Sequence, residues 1–178
     1  LWFGWFGFNG FSQLAMGTFD DVNAIAKIAV HTHLAGAAGV VTGAVLTRLI
    51  GGKTDIIMML NGALAGLVAI TAEPLTPTPM TAMLIGSAGS VIMYFGTKLL
   101  EHLRLDDVVG AIPVHLFAGI FGTLVVPFTN PDTSFGTQFL GVVSICTFSF
   151  VFSYAVFRAM KETIGLRISK AAEKLGTD

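Results

Sequence analysis

Five stretches of about 20 apolar residues, joined by short polar turns, constrain this chain more than any other feature of its sequence. They run approximately from Val22 to Thr47, Asp55 to Ala72, Met80 to Leu99, Val108 to Phe128 and Thr137 to Phe157. A helix of about 20 residues crosses roughly 30 Å of hydrocarbon, and lipid offers an exposed backbone no partner except within a helix or a closed barrel. Charged residues are 12% of the chain, hydrophobic ones 53%, and mean hydropathy is +0.77. A soluble domain averages about 25% charged residues, so this composition excludes one. A further apolar stretch, Leu1 to Met16, is too short to cross and has neither an initiator Met nor a basic flank. It reads as a span opened upstream, and the chain as a fragment of an all-α polytopic membrane protein.

Charge sets the expected orientation. Alternating the loops places nine of the ten Lys and Arg on one side: Arg48, Lys53, Lys98, Arg104, Arg158, Lys161, Arg167, Lys170 and Lys174. Only Lys27 lies elsewhere. By the positive-inside rule that side is cytoplasmic, so the C-terminal tail is inside and the first stretch runs outward, with Ser12 toward the exterior. A net charge of −1 gives no case for nucleic acid, and the single cysteine, Cys146, reads as packing.

Small residues recur at intervals of four: Ala35, Gly39 and Gly43; Gly62 and Gly66; Ala82, Gly86 and Ser90; Ala118 and Gly122. Such stripes let helix backbones approach closely in lipid, where hydrophobicity cannot drive association. The last stretch instead carries Phe139, Phe148, Phe150, Phe152, Tyr154 and Phe157, which fits a bulky helix on the outside of a bundle. Pro74, Pro77 and Pro79, and the Asn130-Pro131-Asp132 turn, mark outer loops. These features divide the chain into a membrane domain over 1–160 and a polar cytoplasmic tail over 161–178.

Two features point to chemistry. On a helix, Trp5, Phe8 and Ser12 fall on one face, and that face suits a small cation. Aromatic rings attract positive charge by about 0.5–2 kcal/mol per contact, and a hydroxyl accepts from an N–H donor. An aromatic belt at the membrane interface explains the rings equally simply, so both readings stand on pattern alone. His115 is the second feature, about 10 Å inside the stretch that begins at Val108. A neutral imidazole there can donate and accept, orienting a small amine or carrying a proton, or it can bond a neighbouring helix. His31 and His33 are two residues apart and point to different sides, which argues against a shared metal. Asn61 and Thr71 fit interhelical hydrogen bonds. Asp106 and Asp107 suit the capping of the His115 helix. No hydrolase triad, phosphate loop or zinc spacing occurs, so no enzymatic activity, cofactor or metal is expected.

Three segments carry a resemblance. Gly4-Trp5-Phe6-Gly7-Phe8-Asn9, Asn61-Gly62-Ala63-Leu64-Ala65-Gly66-Leu67-Val68-Ala69-Ile70-Thr71, and Asp106-Asp107 through Gly110-Ala111-Ile112-Pro113-Val114-His115 resemble the ammonium transporter (Amt) family, in the family's order. The resemblance covers essentially the whole chain as the sixth to eleventh membrane helices, including Gly165-Leu166-Arg167 at the start of the tail. It implies the second of two inverted five-helix repeats plus the last helix, in a homotrimer with one path per protomer. It further implies that Ser12 belongs to an outer ammonium recruitment site, that Phe8 is one of two stacked gate phenylalanines, and that Trp5 lines the pore. His115 would be the second of a histidine pair whose partner lies upstream of Leu1. The implied partners are ammonium or ammonia, the lipid bilayer and a PII-type signal protein at the cytoplasmic face. Phe11, Leu116 and His31 depart from the family pattern, where a small residue, a glycine and an asparagine are common. An ammonium sensor fused to a signalling domain and a Rhesus-type ammonia channel are the alternatives within the fold, and a purely structural membrane subunit is the alternative outside it.

Overall fold

Capping residues set the helix ends close to those expected. The structure, a computed structural model, describes residues 1–176, and those residues contain helices and turns but no strand. Helix α1 spans Trp2–Phe11 and α2 spans Phe19–Gly51. Thr18 opens α2 with a reciprocal cap: its hydroxyl accepts from the Asp21 N–H at 3.1 Å, and its own N–H donates to the Asp21 carboxylate at 3.0 Å. Asp55 caps α3, Ile56–Thr71, by accepting from the N–H groups of Ile57 and Met58. Thr78 followed by Pro79 opens α4, Pro79–His102, with the hydroxyl on the Thr81 N–H. Then come a π-helix at Ile112–Phe117, α5 at Ala118–Val125 and a 3-10 turn at Val126–Phe128. Helix α6 spans Phe135–Thr163 and a short α7 spans Lys170–Leu175.

Three of these helices are long and apolar enough to cross a membrane: α2, α4 and α6. The stretches expected to cross at Asp55–Ala72 and Val108–Phe128 are shorter or interrupted. The 16 residues of α3 reach about 24 Å at 1.5 Å per residue, short of a full crossing. Burial explains how this is tolerated: Gly62, Ala63, Ala65, Gly66, Leu67, Ala69 and Ile70 of α3 all lie inside. Backbone irregularity at membrane depth is acceptable where protein, not lipid, surrounds it.

The chain divides into two units, Leu1–Phe139 and Leu140 onward. In the first, α2, α3 and α4 meet backbone to backbone through the small-residue stripes. A methyl group at Gly39 would strike the carbonyl oxygen of Gly62, and one at Gly86 would strike that of Ala35. The Ser90 hydroxyl enters the same junction and donates to the Gly39 carbonyl at 2.9 Å. Beside it, Ala65 and Met93 pack with Val114 and Ala118, which seats the π-helix and α5 against α3 and α4. The second unit holds most of α6, whose residues include none that is buried, and α7. Cys146 is half-exposed on α6, so it does not fill a core. The helix runs to Thr163, a few residues into the segment expected as tail, and that tail ends at Thr177 and Asp178, outside the described residues.

Candidate functional site

Helix α1 presents one face to α2 and another to open space. On the packed face, Asn9 is buried and its amide donates to the Thr32 hydroxyl at 3.0 Å, while Trp2 and Phe6 lie against the His33 ring at 5.5 and 6.3 Å. The other face carries Trp5 and Phe8. The Trp5 indole N–H donates to the Thr71 hydroxyl at 2.7 Å, and that hydroxyl donates in turn to the Leu67 carbonyl at 2.6 Å. This chain of bonds fixes the indole plane against α3. Phe8 meets Trp5 edge-on, with ring centroids 6.0 Å apart, and stays 63% exposed.

His115 comes from a segment distant in sequence. Its helix starts at a tight turn in which Gly110 has φ +75°, a left-handed conformation that glycine adopts without strain. The Asp107 carboxylate accepts from the Ala111 and Ile112 N–H groups, each at 2.8 Å, so the expected capping role of Asp107 holds. Pro113 and Val114 of the π-helix are buried, while His115 is not. A π-turn inserts extra backbone and re-aims the side chains that follow, and such turns concentrate at functional sites.

The two segments converge. Trp5, Phe8, Val68, Thr71, His115 and Thr123 are among the residues that line one cavity of about 600 Å³. Its walls are mostly carbon, with the imidazole and two threonine hydroxyls as the polar exceptions. Rings near the α1 end and an imidazole farther along provide two chemically distinct stations: one for positive charge, one for hydrogen bonding or proton transfer.

Ser12 lies outside this lining. Helix α1 stops at Phe11, and the Ser12 hydroxyl donates to the Phe8 carbonyl at 3.0 Å, satisfying a carbonyl that the helix end leaves free. The expected face of Trp5, Phe8 and Ser12 is therefore split, with two members on the cavity and the third exposed just beyond it. Thr71 makes the interhelical bond expected of it and lines the cavity as well, a role the sequence reading passed over. Asn61, expected to bond another helix, donates instead to the Val109 carbonyl in the turn before the π-helix, at 3.2 Å. His31 is buried, with Nδ1 2.8 Å from the Pro74 carbonyl oxygen, where it ties α2 to the proline loop between α3 and α4. Pro113 suits the first turn of a helix, where its missing N–H has no partner to lose, and nothing in the sequence marks that helix as a π-helix.

Residues 1–178 match the family model described as the Ammonium Transporter Family. The chain belongs to this family. Similar curated relatives are Ammonium transporter Amt2 of Archaeoglobus fulgidus, 38% identical over all of this chain and 42% of its own length, and Ammonium transporter Amt1 of Methanocaldococcus jannaschii, 33% identical over all of this chain and 46% of its own. A solved structure described as Sensor Amt Protein superposes with a TM-score of 0.89 at 31% identity, covering 99% of this chain and 45% of that one. Mep2 of Candida albicans shares the fold, with a TM-score of 0.84. The chain thus spans less than half the length of these ammonium transporter relatives. Membership makes it a multi-pass membrane protein of the ammonium transporter fold, which agrees with its apolar helices.

Proposed function

We propose that this chain forms one wall of a path for ammonium or ammonia across a cell membrane, with its C-terminal tail in the cytoplasm. One observation carries the reading: Trp5, Phe8 and His115, distant in sequence, line the same cavity. Capture begins at the outer end. Ser12, exposed beside Phe8, accepts an N–H of the cation, and the rings of Trp5 and Phe8 attract its charge. Phe8, on the cavity and edge-on to Trp5, then acts as the barrier together with a second ring from the other half of the fold. An intact cation is costly to move between carbon walls, so ammonia and its proton part before or during passage. His115 receives the amine by hydrogen bonding, and its ring nitrogens supply a route for the proton.

By the same family reading the whole protein is a homotrimer with one path per protomer, a PII-type signal protein docks on the cytoplasmic face, and the activity is transport without an enzymatic step. The partner histidine and the second gate ring come from the half of the fold that relatives carry before this one. The likeness to Sensor Amt Protein favours a second reading, an ammonium sensor that uses the same binding stations to report on substrate. Methylammonium uptake by the whole protein separates them. Under the transport reading His115→Ala changes rate or selectivity, and uptake identical to wild type overturns the role of His115. A wild-type protein that binds methylammonium without moving it replaces the transporter with the sensor.

A further inference from the structure

Besides the packing of Ala65 on Val114 and Ala118, one side-chain hydrogen bond ties the turn before His115 to α3. The Asn61 amide donates to the Val109 carbonyl at 3.2 Å, across 48 residues of sequence. The next residue, Gly110, lies so close to this amide that a Cβ there would sit 2.7 Å from Asn61 Nδ2. Gly110 passes its own N–H to the Asp107 carbonyl at 3.2 Å and accepts from the Val114 N–H at 3.1 Å, so the clamped turn runs directly into the π-helix. With the Asp107 carboxylate on the Ala111 and Ile112 N–H groups, the first turn before His115 is fixed on both sides. From this geometry we infer that Asn61 is a positioning residue for His115. It holds the left-handed turn at Gly110 in the one register that aims the imidazole into the cavity.

The physical case rests on what the π-helix lacks. A π-turn is a rare backbone form, and the N–H groups of its first turn have no partner within the helix, so groups outside it hold its start. Its aim is therefore set by its anchors: the Asp107 cap, the seating of Val114 in the core beside Met93, and Asn61. Asp107 is local to the segment and travels with it. Asn61 refers the segment to α3, the helix that also fixes Trp5 through Thr71. One helix thereby registers both stations of the cavity. This role rests on the transport reading for its effect on rate, and on geometry alone for its effect on backbone order.

The test uses the whole protein with Asn61→Asp, which removes the donor at nearly constant size, and Asn61→Ala, which removes the side chain. Per molecule of folded protein in the membrane, both variants lower the maximal methylammonium uptake rate about tenfold and leave the half-saturating concentration within about twofold, because a displaced imidazole impairs passage and not capture. In a His115→Ala background the same substitutions add little, since residues acting through one group are not additive. Amide hydrogen exchange gives a readout independent of transport: Ala111, Ile112 and Val114 exchange about tenfold faster in the variants. Unchanged exchange at those amides overturns the proposal. So does a rate loss that is fully retained in the His115→Ala background, or a loss confined to the amount of folded protein. If the wild-type protein moves no methylammonium, the transport reading fails and the exchange result alone decides the role of Asn61.

Discussion

The α2–α3–α4 junction and the cavity wall lie on opposite sides of the same helix, α3, and they are built by opposite means. At the junction, glycine and alanine bring backbones together so closely that a single methyl group has no place, and the Ser90 hydroxyl supplies the lone side-chain hydrogen bond described between Gly39 and its neighbours. At the cavity, individual hydrogen bonds set the geometry: the Trp5 indole on the Thr71 hydroxyl and, in the turn before His115, the Asn61 amide on the Val109 backbone carbonyl. Close packing leaves no alternative arrangement, whereas a ring held by one bond can be retuned without disturbing the scaffold. The stripe of small residues therefore fixes where the stations are, and the hydrogen bonds fix how they point.

The contrast breaks first at the junction. Gly86→Val drives a branched side chain into the Ala35 backbone, where no flexible group can yield; overpacking of this kind costs about 3 kcal/mol or more, and the folded protein recovered in detergent falls sharply. Recovery and melting temperature equal to wild type would show that the junction is looser than drawn. At the cavity the expectation is reversed. Thr71→Val keeps the shape but removes the acceptor for the Trp5 indole, a loss of about 1 kcal/mol, so the half-saturating methylammonium concentration rises about fivefold while the melting temperature holds. A fall in melting temperature with unchanged affinity would move Thr71 from the cavity to the scaffold. Thr18→Ala opens the reciprocal cap of α2 and costs about 1 kcal/mol in stability, measured by denaturant melting, with no change in affinity. The smallest effect is on α6. Phe148 stacks on Phe152 at 5.9 Å but is 67% exposed, so Phe148→Leu changes stability by less than about 0.5 kcal/mol in the same melt.

Much of the scaffold is legible in the sequence because its causes are local or periodic. The apolar stretches locate α2, α3, α4 and α6 within a few residues, and the four-residue stripes name Gly39, Gly62, Gly86 and Ser90 before any contact is seen. The cavity is legible only in part. His115 stands out because an ionisable group in hydrocarbon needs a reason, and Trp5 and Phe8 because rings on one face are a pattern. Three features resist reading. The turn that leads into the π-helix joins Asp107 and Gly110 to Asn61, which is 48 residues from its partner Val109. The end of α1 at Phe11, which turns Ser12 away from the cavity lining, depends on a terminal hydrogen bond that no period announces. Thr71 reads as an interhelical residue, but its partner Trp5, and with it its place on the cavity, does not. For the π-helix and Thr71 the deciding contact joins separate elements, and one-dimensional spacing holds no record of it.

The central claim is that the cavity bounded by Trp5, Phe8 and His115 is the substrate path. Thr123 lines it opposite α1 without belonging to either station, which makes it a suitable probe. The direct measurement places Thr123→Cys in a whole protein otherwise free of cysteine, labels it with a small charged thiol reagent, and follows methylammonium uptake. Labelling should abolish uptake, and methylammonium present during labelling should slow the reaction. Complete labelling with uptake at the unlabelled rate would contradict the account.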